Sequence, residues 1–547
     1  MNEQKELLVE VFNESLNNIN TNLLLFFKYY RKKFKFDEYI CEVLYTNAIF
    51  RNRKKLILLA DIIKRTENLH KQKIKEKKKK TEMYNMRVEE MKEIKNFIQE
   101  NKQTLLNAGN NKNLLESKND DDGKMKEELG EQTNEIKKGK GKENNIMNYF
   151  RECYCCKKNI IENNIHFFYS NLCKNCGDLN YSYRTMKLDL TGRIAIVTGG
   201  RIKIGFEIAK KLLSFGCKVI VTTRFPKDAL LKFKEDGEYN IWKNNLIIYL
   251  IDFRIFKSTI KFVNYMLNVF PHLDILINNA AQTIRRPTSY YKYLLPIEIQ
   301  KFSTEEENKI VKNDYNQINN ELKLNEEINN NSLISLNNLK NNEFNSLPLS
   351  VYASQIKIIE EKKQPDKILI GNDKQPHDFT EGKNSWKLEL DEVPFEEFIE
   401  VQIINSWTPY YLNSKLKPLM EKSPFNDRYI VNVTAMEGVF NAFKKTTHPH
   451  TNMAKAALNM MTRTCGEYYK RFNIYMTCID TGWVSSMGEI NNLFKNKEKI
   501  EFEEIFCNIP LDNLDGAMRV LQPVIEGVKN HNYLYGIILK DYKEYHW

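Results

Sequence analysis

No run of 18 apolar residues occurs in the 547-residue chain, so a membrane-spanning helix is not expected. The first residues, MNEQKE, are acidic and polar, unlike a secretory or transit peptide. A cytoplasmic protein with reduced thiols is therefore expected, with no membrane partner. Glycine and proline are scarce in residues 1–105, where apolar residues recur at helical spacing (Leu23, Leu24, Phe26, Phe27, Tyr30; Leu56, Leu58, Leu59, Ile62, Ile63). Residues 1–106 read as a helical, basic N-terminal region. Apolar residues are nearly absent from the Asn, Lys, Glu, Asp and Gly that follow, and residues 107–150 read as a disordered linker. The 83 basic and 71 acidic residues leave a net charge of +12. Part of that excess is seven lysines within residues 71–80. This run could touch RNA or a membrane surface, but it reads first as a solvated helix face, and a nucleic-acid partner is not expected.

The most informative stretch is Leu190 to Gly216, LTGRIAIVTGGRIKIGFEIAKKLLSFG. Ile194, Ala195, Ile196 and Val197 form a short apolar run of the kind that makes a buried parallel strand. The glycine turn TGGRIKIG follows, and then Phe206, Ile208, Ala209, Leu212 and Leu213 recur at helical spacing. Strand, glycine turn and helix open a nucleotide-binding α/β fold. The turn lets backbone approach a pyrophosphate, and the helix N-terminus offers it NH groups and partial positive charge.

Further segments continue the pattern. Lys218 to Arg224 reads as a second strand, and Leu246 to Phe253 as a third that contains Asp252. Leu273 to Gln282 carries a fourth, and Tyr429 to Gly438 and Asn473 to Val484 carry two more. Thr198-Gly199-x-x-x-Lys203-Ile204-Gly205 resembles the TGxxxGxG loop of the short-chain dehydrogenase/reductase family, with Lys203 in place of one glycine. Asn278 to Ala281 resembles the NNAG of that family, and Thr451 to Leu458 its YxxxK helix. The resemblance covers residues 186–300 and 385–547. It implies an α/β fold with a Rossmann-type, doubly wound parallel sheet over residues 186–547, a nicotinamide cofactor, and association of the chain with itself.

The family works with Asn, Ser, Tyr and Lys. On this chain the Asn position is Asn405 and the Lys position is Lys455, but the Ser position is Ala435 and the Tyr position is Thr451. Threonine is too weak an acid to replace a phenol near neutral pH. His450, and with it His448, precedes Thr451, and an imidazole titrates in the useful range. These histidines could equally be surface or capping residues beside Pro449. Thr434 offers a hydroxyl beside Ala435, but strand alternation points it to the other face. Three readings remain: a reductase of a small carbonyl or alcohol with a different acid, a dinucleotide-binding pseudoenzyme serving as scaffold or sensor, and the same fold used for another reaction.

Cofactor choice follows from charge. The family's NAD-preferring members end the second strand with an acid that binds the ribose hydroxyls. Here that place is Thr223, followed by Arg224, while Arg201 and Lys203 lie in the glycine loop. Cations without a carboxylate favour NADP(H) over NAD(H), although Arg224 could simply be a solvated strand end. Thr198, Gly199, Ile204 and Gly205 would line the pyrophosphate, Asp252 would take the adenine amino group, and Asn278, Asn279 and Ala280 would line the ribose and nicotinamide side, with Lys455 holding the ribose.

Cys153-x-x-Cys156 and Cys173-x-x-Cys176 are two thiol pairs at zinc-ribbon spacing. Residues 151–185 read as a four-cysteine ribbon around a structural Zn2+, with a redox dithiol or disulfides as the alternatives. Within the α/β region, Asn279 and Asn405 stand about a hundred positions further apart than in the family. Thirteen of the 33 residues from Asn313 to Asn345 are asparagine, so residues 300–380 read as a low-complexity surface insertion. Arg285 and Arg286 at its near flank could hold an anionic substrate or serve in ion pairs.

Overall fold

The computed structural model describes residues 81–100, 152–160, 164–300, 311–312, 351, 354, 369–371, 375–377, 384–485 and 507–547. The helices expected in residues 1–80, the lysine run, the linker expected at 107–150 and most of the insertion expected at 300–380 lie outside these residues. By internal contacts the chain divides into two units, residues 1–81 with 120–174 and residues 82–119 with 175–547.

The second unit holds the sheet. Its strands are β1 (Ile194–Thr198), β2 (Lys218–Thr223), β3 (Leu246–Leu250), β4 (Ile275–Asn278), β5 (Val311–Lys312), β6 (Arg428–Thr434), β7 (Ile474–Asp480), β8 (Ile538–Lys540) and β9 (Lys543–Tyr545). Their order is β5-β3-β2-β1-β4-β6-β7-β8-β9, parallel throughout except for β9, which runs antiparallel to β8. The order reverses at β1, which has β2 on one side and β4 on the other. That switch point is where an open parallel sheet leaves a crevice outside its carboxyl ends.

The longer helices among the described residues are α1 (Glu82–Glu100), α2 (Lys174–Arg184), α3 (Lys203–Ser214), α4 (Pro226–Lys234), α5 (Phe256–Val269), α6 (Phe395–Gln402), α7 (Thr408–Glu421), α8 (Pro449–Lys470) and α9 (Asn513–Asn530). Period-two alternation along each strand sends apolar residues to both faces. Ala195, Val197, Val219, Val221, Ile275 and Ile277 join a core with Leu212 of α3, Phe233 of α4 and Leu521 of α9. Ile194, Ile196, Ile220 and Leu276 join another with Phe262 of α5, Leu416 of α7 and Tyr469 of α8. With both faces covered, the central strands read as continuous apolar runs rather than as alternating ones. The expected doubly wound Rossmann-type sheet is present.

Candidate active site and cysteine cluster

The β1–α3 turn is built so that no side chain fills it. Gly199 has φ +69°, and a Cβ there would lie 2.9 Å from the Cα of Ala280. A Cβ on Gly205 would lie 2.3 Å from the Gly199 carbonyl oxygen and 2.4 Å from Asn279 Nδ2. Lys203, the residue in place of a glycine, adopts φ +53°, the left-handed region that glycine enters without strain. Thr198 ties this turn to the end of β4: its Oγ1 accepts from the backbone NH groups of Asn279 (2.9 Å) and Ala280 (3.0 Å). Asn279 Nδ2 returns the contact, donating to the carbonyls of Thr198 (2.9 Å) and Gly199 (3.3 Å). Ile204 packs against Gly516 of α9 from the first turn of α3. These expected cofactor residues are therefore adjacent at the crevice.

Arg201 is placed differently from the expectation. It is buried, and its guanidinium donates to Asp228 at 2.6 Å and sits 5.1 Å from the Phe225 ring. Burial opposes its charge, yet Asp228 and the Tyr293 hydroxyl hold it protonated. A buried cation already paired with a carboxylate is not available to a phosphate. Arg224 stays half-buried and donates to the Tyr291 hydroxyl at 3.2 Å. Asp252 is buried and held by Arg254, whose Nε lies 3.1 Å from each carboxylate oxygen and whose NH2 lies 2.7 Å from Oδ2. Burial alone would raise the Asp252 carboxyl, but Arg254 and then Arg224 bring it below its ordinary value. The carboxylate expected to face an adenine amino group thus faces a guanidinium.

Of the tetrad positions, Asn405 lies in a π-helical turn, Ile403–Trp407, between α6 and α7. Such turns arise when one extra residue is fitted into a helix and are frequent at functional sites. Asn405 is buried, accepts from Gln282 N at 2.7 Å and donates to Gln282 O at 3.0 Å, which fixes the loop after β4. Lys455 reaches from α8 to the Val433 carbonyl oxygen at 2.7 Å. Burial pushes its ammonium down to about 8, against the opposing pull of Cys478, Glu437 and Asp480. Thr451 turns its hydroxyl back to its own helix, donating to His448 O at 2.9 Å. Thr434, as strand alternation predicts, points elsewhere, donating to Asn459 Oδ1 at 2.7 Å.

His450 is neither a surface nor a capping residue. Its side chain is 1% exposed, and Nε2 faces Glu397 Oε1 of α6 at 3.6 Å. No hydrogen bond reaches either ring nitrogen from the described residues. The ring is thus buried against α6 with Glu397 as its nearest charged neighbour. His448 stacks on Trp386 with centroids 3.9 Å apart and 6° between planes, holding a left-handed residue (φ +49°) at the start of α8. Arg285 takes the ion-pair alternative, with its Nε 3.3 Å from Glu400.

The four expected metal ligands, Cys153, Cys156, Cys173 and Cys176, converge so that all four sulfurs lie within 4.8 Å of one another. Cys156 and Cys173 are 3.7 Å apart, close to the edge of about 3.8 Å that a tetrahedron of 2.3 Å zinc–sulfur bonds requires. The Cys173 NH also points to Cys153 Sγ at 3.3 Å. The donor set fits a closed, four-thiolate structural site, and these cysteines are free thiols rather than disulfides.

Several contacts around the crevice carry no signal in the sequence. Arg254 and Glu400 carry no motif, and their pairing across the insertion appears only after folding. Asn278, Asn413 and Asn432 interlock beneath the crevice, with Asn278 Nδ2 2.7 Å from Asn413 Oδ1 and 2.8 Å from Asn432 Oδ1. Three buried amides in one chain of hydrogen bonds cost much less than three isolated ones. From α1, Arg87 NH2 donates to the carbonyls of Val484 and Leu511, 3.2 Å each. It thereby joins the two ends of the excursion between β7 and α9.

A parallel sheet with this strand order and glycine turn defines a Rossmann-type dinucleotide fold. Residues 193–293 match the family described as short chain dehydrogenase. The chain is 30% identical over 401 residues to the uncharacterized protein R665 of Acanthamoeba polyphaga mimivirus, over 70% of this chain and 73% of that one. It is 34% identical over 122 residues to (+)-neomenthol dehydrogenase of Capsicum annuum, over 21% of this chain but only 38% of that enzyme's length. Among solved structures, the Pseudomonas aeruginosa RhlG/NADP complex aligns at 14% identity and a TM-score of 0.35, over 64% of this chain and 95% of that one. The chain belongs to the short-chain dehydrogenase/reductase family. No described helix is long and apolar enough to cross a membrane.

Proposed function

We propose that the protein is an NADP(H)-dependent oxidoreductase that moves hydride to or from a small carbonyl or alcohol. The observation that carries this reading is the β1–α3 turn, in which Gly199 and Gly205 let the backbone close against Ala280 and Asn279 at the carboxyl ends of β1 and β4. The NH groups at the start of α3 would receive the pyrophosphate. Lys455 would hold the nicotinamide ribose, and Asn405 would keep the Gln282 loop in place beside it. When bound, the cofactor would supply or accept the hydride. Arg224 and Lys203 would favour the 2′-phosphate, and Arg201 would serve only to anchor α4 through Asp228.

A second reading, a dinucleotide-binding protein without hydride chemistry, is favoured by one observation. The Thr451 hydroxyl is committed to His448 O, and Ala435 has no hydroxyl to orient a carbonyl. In either reading the four cysteines would hold a structural Zn2+, with residues 151–185 as the ribbon and residues 186–547 as the dinucleotide-binding domain.

Calorimetric titration of the purified chain with NADPH and NADH tests the cofactor assignment. NADPH should bind more tightly, and Arg224→Asp should erase or reverse the difference. Equal binding of both by the wild type would refute the role given to Arg224.

A further inference from the structure

Side chains of the chain itself meet just beyond the carboxyl ends of β2 and β3. In a sheet wound this way the pyrophosphate sits at α3, and the adenosine half lies across the carboxyl ends of β2 and β3. Here β2 ends at Thr223, β3 leads toward Asp252, and the segment from Pro287 to Gln300 meets the residues just beyond β2. Its Tyr291 packs face to face on Phe225, with centroids 5.5 Å apart and 22° between planes. The Arg224 guanidinium lies 5.0 Å from the Tyr291 centroid and donates to its hydroxyl at 3.2 Å.

Arg254 and Arg286 act on the same phenol. Burial alone would raise its pKa, but Arg224, Arg254 and Arg286 together hold it below the ordinary tyrosine value. Arg254 is already paired with Asp252 and Glu400, so Arg224, bonded to the Tyr291 hydroxyl, is the cation placed for an anion. The same segment reaches the start of α4, where fully buried Glu298 accepts from the backbone NH groups of Asp228 (3.0 Å) and Lys227 (3.3 Å). That carboxylate occupies the helix N-terminus nearest the end of β2. A flat ring against an aromatic face and a guanidinium, with an oxygen on that guanidinium, is also what the adenine ring and ribose 2′-phosphate of NADP(H) would present.

We propose that Tyr291 is an internal occupant of the adenosine end of the groove, holding Arg224 until the tyrosine moves out and that guanidinium takes the 2′-phosphate of NADP(H). This inference rests on the NADP(H) reading above. Because the ligand replaces contacts already made, its apparent affinity is scaled down by the fraction of molecules in which Tyr291 is displaced.

Adenosine 2′,5′-bisphosphate probes this end without the nicotinamide half. The full chain, Tyr291→Ala and Tyr291→Phe are titrated with it and with NADPH, and association is followed by stopped flow. Tyr291→Ala should bind the bisphosphate about tenfold more tightly and associate faster, and Tyr291→Phe, which keeps the ring, should gain less. Weaker binding by Tyr291→Ala would overturn the proposal, because Tyr291 would then belong to the ligand's pocket. Equal binding would overturn it as well, by placing Tyr291 outside the path. Should Tyr291→Ala fold poorly, Tyr291→Phe decides alone: a gain supports the proposal, and no gain overturns it. NADPH binding by the wild type with no gain in either variant removes the occupant but leaves the cofactor reading intact. Absence of NADPH binding by all three proteins removes both.

Discussion

Lys455 of α8 donates to the Val433 carbonyl oxygen at the end of β6, 2.7 Å away, and so stands beside the crevice whatever the neighbouring positions contain. Thr451, one helical turn earlier, is bonded to His448 O. The two residues should therefore respond differently to truncation. Lys455→Ala should weaken NADPH binding about tenfold or more and remove turnover. Thr451→Ala should leave both within about twofold and cost stability on the order of 1 kcal/mol, the worth of one neutral hydrogen bond. A large loss of turnover in Thr451→Ala with cofactor binding intact would contradict the passive role given to this hydroxyl.

Lys203 carries a side chain at φ +53°, where glycine is strain-free. Lys203→Gly should raise stability by about 0.5–1 kcal/mol, less the entropy glycine adds to the unfolded chain, whereas Lys203→Val should lower it. If Lys203 also meets a phosphate, the glycine variant will be more stable to urea yet bind NADPH more weakly. Loss of stability in Lys203→Gly would contradict the strain.

Glu298 gives a pH signature. Burial raises its carboxyl to about 7, although the NH groups of Asp228 and Lys227 work the other way. Unfolded, the same group titrates at about 4.3. The folded state thus holds the proton more tightly, and the stability this gives is present below about pH 4.3 and lost as pH rises through about 7. Urea midpoints of the wild type should fall across that window relative to Glu298→Gln, by an amount on the order of 1–3 kcal/mol. Parallel curves for the two proteins would show that Glu298 is ionised throughout.

The cysteine cluster predicts about one zinc per chain in protein purified under reducing conditions. Cys173→Ser should lose the metal and destabilise the ribbon, because thiolate binding is coupled to folding. Metal analysis finding no zinc would refute the site.

The parallel sheet was readable because each strand is a short apolar run followed by a helix with apolar residues at 3.6 spacing. The β1–α3 turn was readable because its backbone requires glycines, and even the exception, Lys203, retains the glycine conformation. The cysteine pairs were readable because two thiols must stand close together in sequence to meet on one ion. Side chains whose partners lie far away in sequence were not. Arg201 resembles a phosphate-binding loop cation until Asp228 arrives from α4, and His450 reads as a proton donor or a surface residue until Glu397 packs against it from α6. Tyr291 carries no trace in the sequence of its partner Arg224, nor Arg254 of its partner Glu400.

The central claim is hydride transfer with NADP(H), and carbonyl-dependent loss of NADPH absorbance tests it most directly. The purified wild type and Lys455→Ala would be assayed against a panel of small ketones and aldehydes, with NADPH affinity measured on the same samples. The account predicts tight NADPH binding and carbonyl-dependent oxidation by the wild type, with both reduced in Lys455→Ala. Tight binding without turnover on any carbonyl would favour the non-catalytic reading. Absence of NADPH binding by the wild type would contradict the account as a whole.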